Sequence, residues 1–262
     1  MPRALSALTE LTELSLSGSV ITATAPLATL QRLQSLVLSS CNLTAVPEQV
    51  ALLTALSSLD LSAARHSNGG WQHLLPLNQL QHLCLYDCRL TAVPEQLSAL
   101  TALTHLDLSH NRLVSGWQHL LPPKQLQSLN LSNCSFTAMP KQLSALTALS
   151  HLDLSWNRAP ASHLQHLQRL QLQYLNLRGC RLTAVPGQLS AMTALTCLDL
   201  SINRLESGWQ PLQLPHLRKL HLTPSWLPGG QVPPVLANLR DLQVIKDTEA
   251  QAIVEIAFEA YP

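Results

Sequence analysis

Aromatic residues are scarce in this chain: two Phe, three Tyr and five Trp among 262 residues. A mixed core of ordinary composition draws heavily on aromatic area, so burial here must come from another source. Charge is scarce as well, at 12%, and it is balanced, with 16 basic and 15 acidic residues and a net charge of +1. That balance excludes the overall basic footprint of a nucleic-acid-binding protein and a polybasic membrane anchor. Combined with 46% hydrophobic content, it also excludes a disordered chain. No apolar run reaches the length of about 18 residues that a transmembrane helix needs. The opening MPRALSALTELTELSLS holds no continuous apolar segment of signal-peptide type. The expected compartment is therefore reducing and cytoplasmic, and the sequons at Asn42, Asn130 and Asn133 are incidental. The six cysteines contain no Cys-x-x-Cys pair, so neither a zinc knuckle nor a dithiol redox motif is written in them. Phosphate loop, HExxH, EF-hand, dinucleotide fingerprint and nucleophile elbow are all missing. No cofactor, no metal and no catalytic residue is expected.

What the chain has is leucine, 60 residues of it. The leucines fall in the motif Leu-x-x-Leu-x-Leu. Its second leucine stands at Leu14, Leu36, Leu59, Leu83, Leu106, Leu129, Leu152, Leu175, Leu198, Leu220 and Leu242, at steps of 22 to 24 residues. Two subtypes alternate, so the full unit spans about 46 residues. One subtype carries Cys41, Cys88, Cys134 or Cys180 after the motif and continues toward TAVPEQL, as at 91–97. The other carries Asn, at Asn111, Asn157 and Asn203, or a substitute, and continues toward SGWQ with Trp71, Trp117 and Trp209. The copy after Asn157 departs from this, reading NRAPASHLQHL.

The end of each motif alternates with period two, which predicts a short strand with leucines inward and the intervening residues outward. One such strand cannot bury its leucines alone. Stacked coils can, and their strands then form one parallel sheet with a spacing of about 4.8 Å. The Asn and Cys slots come where the chain turns inward and should bond buried backbone groups. Successive Cys slots lie two coils apart, roughly 10 Å, beyond the reach of a disulfide. The Val-Pro segment predicts a short helical turn with Pro at its first position and Leu97 and Leu100 facing the core. The tryptophans of SGWQ read as core, with Trp117 lying flat under the outer wall.

This pattern resembles the leucine-rich repeat family, whose consensus is L-x-x-L-x-L-x-x-N/C-x-L; LTHLDLSHNRL at 103–113 matches throughout, and LQSLVLSSCNL at 33–43 matches with Cys in the Asn slot. The 23-residue length is similar to the typical intracellular class that includes plant Ras-group-related members. The resemblance implies an α/β fold: a right-handed horseshoe solenoid with a concave parallel sheet and short helices or turns on the convex side. It places the array at 1–246, about eleven repeats, with a C-terminal capping segment at 247–262 that is either helical or a strand. The array opens in mid-repeat without a polar cap, which points to a fragment, a truncated gene model or an edge covered by a missing segment; a monomer or a fragment of a larger chain is expected.

For function, the resemblance implies non-catalytic protein recognition in signalling or scaffolding. The alternative it leaves open is the sensing portion of a larger receptor, ubiquitin ligase or kinase. Comparison of the copies with one another adds to this. Convex positions hardly change: Thr91, Ala92, Gln96, Ser98 and Ala99 recur as Thr137, Ala138, Gln142, Ser144 and Ala145. Outward strand positions change freely, which points to the concave sheet as the recognition surface. Its aromatics Tyr86, Trp156 and Tyr174 are candidate anchors, surrounded by His82, Asp87, His105, Asp107, His110, Asn130, His151, Asp153 and Arg178. His105 with Asp107 and His151 with Asp153 look like acid–base or metal pairs. The aspartates, however, recur as Asp60 and Asp199 in copies without the histidine, so they read as repeat consensus. The expected partner is a protein, not nucleic acid or membrane.

Overall fold

A computed structural model describes residues 3–64, 69–121, 125–158, 161–231, 233–234, 236 and 243–246. The segment 247–262, expected to cap the array, lies outside these residues. Each leucine motif ends in a short strand: β1 (Glu13–Ser15), β2 (Ser35–Val37), β3 (Ser58–Asp60), β4 (His82–Cys84), β5 (His105–Asp107), β6 (Ser128–Asn130), β7 (His151–Asp153), β8 (Tyr174–Asn176), β9 (Cys197–Asp199), β10 (Lys219–Leu222) and β11 (Gln243–Lys246). The eleven strands form one sheet in chain order, and every pairing is parallel. From β1 to β10 the register sets the central leucines opposite each other, as in Leu83 with Leu106 and Leu106 with Leu129; at the last pair it departs from the sequence reading, since Leu220 meets Val244 and not Leu242. A slip of one residue would turn every such leucine to solvent, so the repeat pattern itself enforces this register.

Three leucine columns fill the interior. Leu80, Leu83 and Leu85 in one coil stack on Leu103, Leu106 and Leu108 in the next, all buried. Removing such a side chain to alanine costs about 2–5 kcal/mol, so each coil's hold on its neighbours rests on these columns. Leu11, Leu14 and Leu16 in the first coil are only partly buried, since β1 pairs with β2 alone.

The outer wall is built of 3₁₀ helices of three to seven residues, such as Glu48–Leu52, Glu95–Ala99, Lys141–Ala145 and Gly187–Ala191; among the described residues there is no α-helix. An α-helix with its side chains is about 10–12 Å wide and would splay the wall against strands about 4.8 Å apart. The thinner 3₁₀ turn fits closer stacking. Pro47, Pro94, Pro140 and Pro186 stand just before these turns rather than at their first position. The proline carbonyl accepts the turn's first bond, from Leu97 N–H to Pro94 at 3.2 Å. Leu97 and Leu100 face the core as the spacing predicts.

The SGWQ segment answers a different demand. Gly70, Gly116 and Gly208 adopt left-handed φ of 79° to 82°. A Cβ on Gly116 would lie 2.5 Å from the Val93 carbonyl oxygen, and one on Gly70 2.5 Å from that of Val46. The glycine lets two coils touch backbone to backbone; there Val93 N–H donates to the Ser115 carbonyl at 3.1 Å, and Ala92 bridges Ser115 in parallel. Trp71, Trp117 and Trp209 then pack against the core, partly buried. Trp117 meets Phe136 edge-on, centroids 6.0 Å apart and planes at 87°.

Candidate functional site

The concave face begins with the outward residues of the strands. At their first position His82 and His105 stack, ring centroids 4.5 Å apart, and His151 stacks on Tyr174 at 6.0 Å. Burial pushes the pKa of His82, His105 and His151 down, so these rings are neutral in the face. Cys197 continues the row on β9 and Cys84 lies on β4; burial raises both thiols, which makes them poor nucleophiles.

The last strand position alternates between Asp and Asn across five coils: Asp107, Asn130, Asp153, Asn176, Asp199. Each aspartate accepts the N–H of the serine two residues on, Ser109 to Asp107 at 2.7 Å and Ser155 to Asp153 at 2.8 Å. Each asparagine side chain donates to the aspartate of the preceding coil, Asn130 to Asp107 at 3.2 Å and Asn176 to Asp153 at 2.8 Å. Carboxylates in every coil would face one another at about 5 Å. The alternation sets a neutral donor between them and gives the 46-residue period a physical reason. Burial still raises the aspartates, Asp153 to about 6. The pairs suggested by sequence are not formed. Asp107 is held by Ser109 and Asn130, while His105 Nδ1 meets Thr104 Oγ1 at 2.9 Å. Among the described residues no group of three or more His, Cys, Asp or Glu is placed to hold a metal ion.

Beyond the strands the chain turns through a left-handed residue in coil after coil: Gly18, Ser40, Ala63, Asp87, His110, Asn133, Trp156, Gly179 and Ile202, with φ between 47° and 69°. The sequence places Asp87, His110 and Trp156 of this column on the concave face; the backbone requirement they share emerges only in the structure. Gly, Asn and Asp adopt it readily, whereas a bulky or β-branched residue does so at a cost of about 1–2 kcal/mol. Trp156 is therefore held in a disfavoured conformation. Its ring lies over Gly179, where a Cβ would come within 2.7 Å of it, and it remains 46% exposed. Tyr86, 38% exposed, packs beside His110 with centroids 4.8 Å apart.

The candidate residues thus occupy one continuous face at two depths. Tyr86, Asp87, His110, His151 and Trp156 are exposed, while His82, His105, Asp107 and Tyr174 are half-buried. Asn130, Asp153 and Arg178 are buried in the floor, with Arg178 Nη1 donating to Ser201 Oγ at 2.8 Å and lying 3.9 Å from Asp199. The face opens into a concavity of about 1510 Å³ that Tyr86, His110, Trp156 and Arg178 help to line. The constancy of the convex side has packing reasons: Ala92 and Val93 meet the next coil's backbone, and Ser98 and Ser144 donate to the carbonyls three residues back. Contrast between the faces therefore reports packing on one of them, and the case for recognition rests on the exposed groups themselves.

Comparison with known proteins agrees with this architecture. Leucine Rich repeats in two copies match residues 78–121, and the single Leucine Rich Repeat matches 125–146 and 171–192. No curated protein matches the sequence. Among solved structures, the chain is similar to an internalin (inlF) of Listeria monocytogenes, with TM-score 0.73 and 20% identity over 92% of this chain and 68% of that one. It is also similar to a leucine-rich repeat protein of Leptospira interrogans, with TM-score 0.61 and 22% identity over 93% and 74%. A third is the functional domain of InlJ from Listeria monocytogenes, described as including a cysteine ladder, with TM-score 0.63 and 23% identity over 91% and 54%. Among the described residues no helix is long and apolar enough to cross a membrane. Leucine-rich repeats match between residues 78 and 192, and the chain folds as a leucine-rich-repeat solenoid.

Proposed function

We propose that this solenoid is a non-catalytic protein-interaction module that binds a protein partner on its concave face, in intracellular signalling or scaffolding. The observation that carries this reading is Trp156. A large aromatic is kept in a left-handed turn, supported from beneath by Gly179 and left 46% exposed over the concavity. Local strain that packing sustains, at a side chain that reaches solvent, is characteristic of recognition sites. The uncoupled His–Asp pairs and the raised thiols of Cys84 and Cys197 favour binding over chemistry. The half-buried Tyr174 supports the surface from below, so the test uses the two exposed rings.

Affinity capture from the source cell, with Trp156→Ala and Tyr86→Ala combined, should lose the partner while the melting temperature stays nearly unchanged. Undiminished capture by that variant, or equal loss with convex Gln96→Ala and Gln142→Ala, would overturn the reading.

A further inference from the structure

The rim of the concavity carries a charge pattern that the net charge hides. One residue after each Asn or Cys slot, successive coils present Arg89, Arg112, Ser135, Arg158, Arg181 and Arg204. In the sequence the same position holds Arg65, so six of the chain's twelve arginines fall in one column. All five described arginines of the column are exposed. Arg112, Arg158, Arg181 and Arg204 line the same concavity as Trp156. Arg89 and Arg181 also have left-handed φ, 57° and 58°, so the backbone holds them at a set angle to the rim. The acidic side chains close to the row in sequence are Asp87 and Glu206, the latter 3.9 Å from Arg204 with both largely exposed. Cationic charge is therefore in excess along the row.

We propose that this arginine row is the docking site for an extended acidic segment of a partner protein, carboxylates against the rim and apolar side chains against Trp156 and Tyr86. The proposal rests on the concave-face reading and gives its partner a chemical class. From Arg89 to Arg204 there are five coil steps, about 24 Å at strand spacing, which an extended chain of about seven or eight residues spans. A guanidinium takes a carboxylate through two parallel hydrogen bonds, and five of them in line favour a run of carboxylates over a single charge.

The floor decides between a peptide and another polyanion. Asp153 is buried beneath the face with its oxygens bonded by Ser155 and Asn176, while Asp107 and Asp199 line the concavity beside the rim and offer acceptor oxygens. A peptide brings backbone N–H donors to meet them along with its carboxylates. A single-stranded nucleic acid sets its phosphates against those aspartates and needs a run of stacking aromatics; of the described tryptophans and tyrosines, only Tyr86, Trp156 and Trp226 line the concavity.

The test is fluorescence anisotropy on the full chain with a labelled peptide of about eight alternating Asp and Leu residues. The same measurement is made with its Lys–Leu counterpart, with an oligothymidylate and with heparin. The Asp–Leu peptide should bind, the Lys–Leu peptide should not, and binding should weaken as salt rises from about 50 to about 300 mM. Arg158→Glu with Arg181→Glu should weaken it about tenfold or more, since two pairs become two repulsions. Arg169→Glu, an exposed arginine in the turn after the 3₁₀ helix Ala161–Leu167, should leave it unchanged. Absence of Asp–Leu binding, equal binding by the double reversal, or tighter binding of oligothymidylate or heparin than of the peptide overturns the proposal. If the peptide fails while capture still depends on Trp156 and Tyr86, the acidic occupant falls and the concave-face reading stands. If capture ignores those rings while the peptide binds through the row, the reverse holds.

Discussion

Replacing Asn157 tests the polar spine of the solenoid most directly. Its side chain is buried and makes four hydrogen bonds. Oδ1 accepts Cys134 N–H at 3.0 Å, and Nδ2 donates to the carbonyls of Leu131 at 2.7 Å, Leu154 at 3.0 Å and Ser155 at 3.2 Å. Two of these partners have other support: Cys180 Sγ also donates to Leu154, and Asn133 N–H to Ser155. Asn157→Ala therefore strands the Cys134 N–H and the Leu131 carbonyl. At about 1–3 kcal/mol for each unsatisfied buried group, the loss is about 2–6 kcal/mol. Asn157→Cys should lose about half as much. In the alternate coils Cys88, Cys134 and Cys180 donate to Leu61, Leu108 and Leu154, the carbonyl type that Asn111, Asn157 and Asn203 serve at Leu85, Leu131 and Leu177. A thiol at 157 restores the Leu131 bond and leaves only Cys134 N–H without a partner. Urea unfolding of the three proteins should give the stability order Asn, then Cys, then Ala. An alanine variant within about 0.5 kcal/mol of the parent, or a cysteine variant no better than alanine, would refute this account of the slot.

Three further outcomes follow from the same geometry. Gly116→Ala drives a Cβ to 2.5 Å from the Val93 carbonyl at φ 82° and should cost more than about 2 kcal/mol, whereas Gly187→Ala, with nothing within 4 Å of its Cβ, should be neutral or stabilising; paired denaturation curves that failed to separate would count against the close approach. Because burial raises Asp153 to about 6 in the fold, its share of stability is full below its unfolded pKa and is lost as pH rises through about 6. Relative to Asp153→Asn, the parent should thus gain about 2 kcal/mol between pH 7 and pH 4, and a difference independent of pH would refute it. The histidines work in the opposite sense: lowered by burial, His82, His105 and His151 lose their contribution as pH falls below their unfolded value, and they cancel in this comparison. Burial pushes Cys88, Cys134 and Cys180 up to about 12, so Ellman's reagent at pH 8 should label them only as the protein opens and at once in urea; rapid labelling of the native protein would show that these slots are not sealed.

Much of the fold was legible in one dimension because each coil solves the same problem with the same leucines. Inward position, strand length and register follow from a period-two pattern repeated at a fixed interval, and Leu106 had no choice of neighbour once Leu83 and Leu129 were in phase. The Asn and Cys slots were readable for the same reason: a small polar or sulfur group recurring after a strand must serve buried backbone. Three features needed the coils stacked in space. The left-handed column depends on φ, and Trp156 and Ile202 disguise it, since propensity alone would not put them there. The Asp–Asn alternation gains its meaning only when residues 23 apart become neighbours across the sheet, as Asn176 and Asp153 do. The arginine row is invisible in a net charge of +1, because charges far apart in the chain are summed there without their positions. Periodicity along the chain determines which residues are buried, since burial is set coil by coil. Alignment between coils determines which exposed or polar groups meet, and that is a property of the stack alone.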